Sequence, residues 1–169
     1  MAFFKTEEEK KAKEDRKIKE LEEKILQNKK FRGRVGHIHQ GLNALGVWGT
    51  LDNGKTTFKS TYFEIHDDKL LIVRNRAIIN LVDIKEIFQE RQNEAIIILD
   101  KGDGIPIKGK NNSISASKEL KAFVNVLNRL IKENKSKTKK KINEEPNEET
   151  SENPIDRLIK LGEMYEKVY

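Results

Sequence analysis

The apolar residues between Phe31 and Ile131 change their period once, and that change limits what the chain can build. Up to Ile107 they fall in short β-prone runs separated by turn-forming groups: Asp52-Asn53-Gly54, Asp67-Asp68 and Gly102-Asp103-Gly104. Beyond Gly109, the residues Leu120, Phe123, Val124, Leu127, Leu130 and Ile131 recur at i, i+3, i+4, i+7, i+10 and i+11, one uninterrupted helical face, with Ser117 placed to cap its start. The β-prone runs are Val35 to Gln40, Val47 to Leu51, Thr56 to Ile65, Leu70 to Val73, Ala77 to Leu81, Val82 to Phe88, Ala95 to Leu99 and Ile105 to Ile107. They predict about seven short strands, with turns every 8 to 12 residues or so, the spacing of a sandwich or barrel. A helix with a single apolar face has to cover such a sheet. The fold class expected is therefore α+β, mainly β.

Both ends differ from this middle. Lys5 to Lys30 contains no Gly or Pro and consists almost wholly of strong helix formers, with acid-before-base pairs at Glu7/Lys11, Glu9/Lys13 and Glu20/Lys24. Its apolar stripe, Ile18, Leu21 and Ile25, is too short to hold a helix alone in water and predicts docking on the core or on another chain. After Asn134 a basic block (Lys135, Lys137, Lys139, Lys140, Lys141) gives way to an acidic one (Glu144, Glu145, Glu148, Glu149, Glu152), which reads as a flexible charged linker. Pro154 then stands at a first-turn position, and Ile155, Leu158, Ile159, Leu161, Met164, Tyr165 and Val168 mark a short amphipathic helix. The organisation expected is a helix over 1–30, a β-rich domain over 31–134, a linker over 135–153 and a helix over 154–169.

Charge narrows the function classes. The chain carries 34 Lys and Arg against 28 Asp and Glu, a formal +6. Residues 1–30 hold 10 basic and 8 acidic groups, 31–110 hold 12 and 10, 111–134 hold 4 and 2, and 135–169 hold 8 and 8. A nucleic-acid surface concentrates Lys and Arg on one face with few acids between them, so this interleaving argues against nucleic acid as the partner. No apolar run approaches the ~18 residues of a membrane span, and the zero Cys content leaves no disulfide framework, thiol nucleophile or Cys-based zinc site. A cytoplasmic protein is expected, and the abundance of Lys, Ile and Asn resembles the products of AT-rich bacterial and phage genomes.

Two motifs invite a chemical reading. Gly49 to Thr56 spells G-x-x-x-x-G-K-T, and Ile96 to Asp100 has the apolar-run-then-Asp form of a Walker B strand. A phosphate-cradling loop must feed a helix N-terminus, whereas Thr57 to Phe63 is β-branched and aromatic, and Asn53-Gly54 is already explained as a hairpin turn. His37 and His39 share one face of a strand, with His66 as a conceivable third ligand, but no acidic ligand lies near them in sequence; strand histidines are the simpler reading. Without a nucleophile motif or a cofactor loop, no catalysis, metal or cofactor is expected. The basic groups Lys29, Lys30, Arg32, Arg34, Arg74 and Arg76 are candidates for contact with an anionic surface.

Strands followed by one closing helix, together with Tyr62 to Val73 and the segment Leu81 to Ile87, resemble the pleckstrin-homology-like (PH-like) fold in its bacterial form over residues 33–133. This likeness rests on apolar spacing and implies a fold without specifying a ligand. Asn153 to Lys167 resembles the first helix of the SHOCT (short C-terminal) domain; in that family a Gly-containing turn and a second, acidic helix follow where Val168 and Tyr169 stand here, so the full unit is expected to be either absent or trimmed. Together the resemblances imply a non-catalytic interaction or scaffold protein, of a kind often carried by prophages. In this reading Ile18, Leu21, Ile25, Ile155, Leu158, Leu161, Met164 and Tyr165 make contacts with a like chain or a protein partner. The alternatives are a peripheral binder of anionic phospholipid membranes and a weak nucleic-acid-binding phage regulator.

Overall fold

A computed structural model describes residues 6–37 and 57–144. The Asn53-Gly54 hairpin, the Gly49 to Thr56 loop, His39 and the tail helix from Ile155 lie outside the described residues. The chain divides into two compact units, 1–136 and 137–169, the second described only over its helical residues 137–144.

Helix α1 (Glu7–Asn28) is capped by Thr6, whose hydroxyl accepts the Glu9 N–H at 3.3 Å. Glu7, Glu8 and Glu9 in the first turn complement the positive end of the helix. It ends at Lys29, whose φ of 52° is left-handed. Among the described residues seven strands follow: β1 (Lys30–Val35), β2 (Lys59–His66), β3 (Lys69–Ile72), β4 (Ala77–Asn80), β5 (Ile84–Arg91), β6 (Glu94–Leu99) and β7 (Gly104–Gly109). A turn of 3-10 helix, Leu81–Asp83, joins β4 to β5. Helix α2 (Ile114–Glu144) is the last of the described elements.

The strands form one antiparallel sheet in the order β4-β3-β2-β1-β7-β6-β5. Its first four strands pair in chain order, and β1 then pairs with β7, so the beginning and the end of the domain meet in the middle of the sheet. Alternation chooses the core: Phe31 and Val35 of β1, Phe63 and Ile65 of β2, Leu70 and Ile72 of β3, and Ile105 and Ile107 of β7 are all buried. Leu120, Phe123, Leu127 and Ile131 of α2 cover this face. Phe31 stacks on Phe123 with ring centroids 4.3 Å apart, and Phe63 tilts against Phe123 at 5.4 Å, joining β1, β2 and α2 at one point. The seven antiparallel strands and closing helix are the mainly β architecture that the sequence predicts.

Three boundaries differ from expectation. The first strand begins at Lys30 rather than Val35; Phe31, Gly33 and Val35 point inward between outward Lys30, Arg32 and Arg34, a two-residue period obscured by its charges and its glycine. The cap of α2 is Ser113, not Ser117: its Oγ accepts the Ala116 N–H at 3.1 Å, while the Ser117 hydroxyl donates to the Ser113 carbonyl inside the first turn. And the segment from Lys135, expected as linker, continues as helix to Glu144, because residues 132–144 contain no Gly or Pro to stop a helix already nucleated on the sheet.

Helix α1 docks on α2. Ile18 and Ile25 join the core, with Leu21 and Leu26 at its margin. The Asn125 amide donates to Glu22 Oε1 at 2.8 Å, and Lys118 Nζ lies 3.9 Å from Glu14 Oε1. From the first of these contacts to the second the chain moves back about 12 Å on α1 and about 10.5 Å on α2, so the helices run side by side in the same direction. Among the described residues no helix is long and apolar enough to cross a membrane.

Candidate functional site

The pairing of β1 with β2 ends at Val35 opposite Lys59, and that of β3 with β4 at Ile72 opposite Ala77. The four residues left over, Val73 to Arg76, form a turn at the same end of the sheet. The turn is held from both sides. Val73 N–H donates to the Tyr62 carbonyl at 3.0 Å, Arg76 N–H donates to the Val73 carbonyl at 3.2 Å, and Arg76 takes a left-handed φ of 50°. Arg74 N–H donates to the hydroxyl of Thr61 at 3.0 Å, and Thr61 is buried.

This construction leaves a cleft of about 450 Å³, lined by Val35, Gly36, His37, Thr57, Lys59, Arg74 and Asn75. Lys59 and Arg74 supply two full positive charges, with hydroxyl, amide and imidazole groups between them. Among the described residues none that lines it is acidic, and neither Lys59 nor Arg74 pairs with a carboxylate. The Gly36 N–H is already engaged by the Pro106 carbonyl at 2.9 Å, which fixes the wall and leaves recognition to side chains. A lysine ammonium and a planar guanidinium facing one cavity suit a phosphate or carboxylate.

The six basic residues picked out from sequence do not converge. Lys29 terminates α1, and Lys30, 3.4 Å from Glu64 and 4.3 Å over the Tyr62 ring, belongs to the outer sheet face. Arg32 lies 6.0 Å from the same ring centroid. Arg34 is structural: its Nε donates to the Gly109 carbonyl at 2.7 Å and its terminal nitrogen to Asn112 Oδ1 at 2.9 Å, tying β1 to the start of α2. Lys30 and Val35 are about 17 Å apart along β1, so the Lys29–Lys30 cluster is remote from the cleft. Arg74 and Arg76 sit in a turn rather than on a strand, and Arg74 alone of the six lines the cleft. Lys59, Thr61 and Asn75 were not singled out by sequence. The one signal for Lys59 and Thr61 was the face they share with Phe63 and Ile65, polar for two positions and then apolar, which marks where the core opens; Asn75 had none.

Of the residues read as partner contacts, Ile18 and Ile25 are 4% and 7% exposed and packed within this domain, and Leu21 is partly buried beside them. Ile155, Leu158, Leu161, Met164 and Tyr165 lie outside the described residues. His37 and His66 stand at opposite ends of β2, about 23 Å of strand, which removes His66 as a ligand shared with His37. His66 instead lies 3.1 Å from Glu64 on the outer face; that hydrogen bond, with help from Lys30, holds the Glu64 carboxyl below its ordinary pKa. The Ile96 to Asp100 run is antiparallel β6 and its turn, with the Asp100 N–H donating to the Asp83 carbonyl.

No family model and no curated protein matches the sequence. Among solved structures the chain is similar to Inner Membrane Complex Sub-compartment Protein 3 (ISP3) from Toxoplasma gondii, at 16% identity over 69% of this chain and 86% of that one, with a TM-score of 0.46. It is also similar to the N-terminal PH domain of human ARAP2, at 10% identity over 75% and 92% of the two chains, with a TM-score of 0.39.

Proposed function

We propose that this chain is a non-catalytic interaction module whose cleft at the end of β1, β2 and the β3–β4 turn binds the phosphate-bearing headgroup of an anionic membrane lipid. One observation carries the reading: Lys59 and Arg74 converge on a cavity of about 450 Å³ with no carboxylate among its described lining residues. Two cations brought together without counter-charge repel one another, and an anion between them relieves that repulsion. Thr57 and Asn75 add neutral donors that fix the orientation of a bound headgroup. A second contact, through Ile155, Leu158, Leu161, Met164 and Tyr165, would hold like chains or a protein partner; it rests on the apolar stripe of the tail.

Co-sedimentation tests the lipid reading. Full-length protein is mixed with vesicles of phosphatidylcholine alone or containing phosphatidylserine and phosphatidylinositol phosphates, at low and at physiological salt. The expected result is retention on the acidic vesicles only, weakened by salt and reduced at least tenfold by Lys59→Glu with Arg74→Glu. Equal retention on both lipids, or an unchanged double variant, overturns it.

A further inference from the structure

A second recessed surface shares no residue with this cleft. Where α1 runs beside the start of α2, two adjoining clefts of about 280 and 460 Å³ meet at Ile114 and Lys118. Ile114 is the first residue of α2 and is 76% exposed, because it lies off the face that buries Leu120 and Phe123 in the core. Across the seam, Leu21 of α1 lines the larger cleft and presents the apolar surface that the core leaves uncovered. A branched aliphatic side chain held in water at the junction of two concavities is solvated at a cost that a partner's apolar group would remove.

The rim of the seam has a sign. Lys17, Lys24, Lys118 and Lys121 surround it, against Glu14 and Glu20. Glu14 already lies beside Lys118 at 3.9 Å, and among the described residues Lys17, Lys24 and Lys121 pair with no carboxylate. The first turn of α2 holds no acidic side chain, so its positive end adds to the lysine field. We propose that this seam docks an acidic segment of a protein partner, which seats one bulky apolar side chain against Ile114 and Leu21 and turns its carboxylates toward Lys17, Lys24 and Lys118. The two clefts share Ile114 and Lys118 and are recessed beside the seam of two helices, a shape that fits a peptide better than the plane of a membrane. The basic rim selects against a basic partner.

The test uses full-length protein and three fluorescein-labelled twelve-residue peptides: a Glu-Glu-Leu repeat, a Glu-Glu-Ser repeat and a Lys-Lys-Leu repeat. Fluorescence anisotropy is read alongside amide chemical-shift mapping. The Glu-Glu-Leu peptide is expected to bind, to shift amides around Leu21, Ile114 and Lys118, and to lose at least tenfold in affinity on Ile114→Asp and on Lys118→Glu. Lys59→Glu with Arg74→Glu leaves that affinity unchanged. Ile114→Asp keeps the melting temperature of the parent, since the side chain it replaces is exposed. Equal binding of the Glu-Glu-Ser or Lys-Lys-Leu peptide, shifts located elsewhere, no binding of the Glu-Glu-Leu peptide, or an unaffected Ile114→Asp variant each overturns the proposal. Loss of an oligomer or of vesicle binding on Ile114→Asp, with peptide affinity unchanged, assigns the seam instead to a second copy or to lipid and equally overturns it.

Discussion

Thr61 shows how one side chain can place another. Its hydroxyl accepts the Arg74 N–H at 3.0 Å and donates to the Tyr62 carbonyl at 3.2 Å, so a single buried group ties the β3–β4 turn to β2 and sets where Arg74 enters the cleft. Valine fills the same volume without either bond and would strand the Arg74 N–H. Thr61→Val is therefore expected to lower stability by about 1–3 kcal/mol in urea denaturation and to weaken retention on acidic vesicles, while Thr61→Ser keeps most of both. A valine variant as stable as the parent would show that the turn needs no anchor. The outer face illustrates the opposite economy: Lys30, Glu64 and His66 satisfy one another in solvent, and exposed pairs of this kind add little to folding.

At the level of the elements, β1 and β7 meet with no room for an added side chain at Gly33. Gly33 stands opposite Gly109, and a methyl group on Gly33 would come within 2.7 Å of the Phe31 ring and 2.8 Å of the Lys108 carbonyl oxygen. Backbone cannot retreat as a flexible side chain can. Gly33→Ala is expected to cost about 1–3 kcal/mol, read as a fall in the urea midpoint with an unchanged slope; a variant with the parent's midpoint would mean that β1 and β7 can separate freely. The helices teach a related lesson about ends. The apolar recurrence from Leu120 to Ile131 locates the buried face of α2, yet its true start at Ser113 and its run to Glu144 depend on a local cap and on the absence of a stop signal, neither of which carries a period.

For the whole molecule, the docking of α1 divides the partner contacts read from the sequence. Ile18 and Ile25 serve the domain's own core, which leaves the tail as the remaining proposed means of self-association. Light scattering after size exclusion is expected to give a dimer or larger species for the full chain and a monomer once residues 154–169 are removed; equal masses would end that proposal. The β-rich middle, the closing helix and most of the core are legible in the order of residues, because burial on a strand or helix imprints a period that survives there. Which of the charged residues share a cleft is not written in their order. Lys59, Arg74 and His37 come from three separate segments, and a cation looks the same in sequence whether it lines a cleft, as Lys59 does, or clamps a carbonyl, as Arg34 does. Charge acts through space and leaves no period along the chain, so its use is set by which strand ends the sheet brings together.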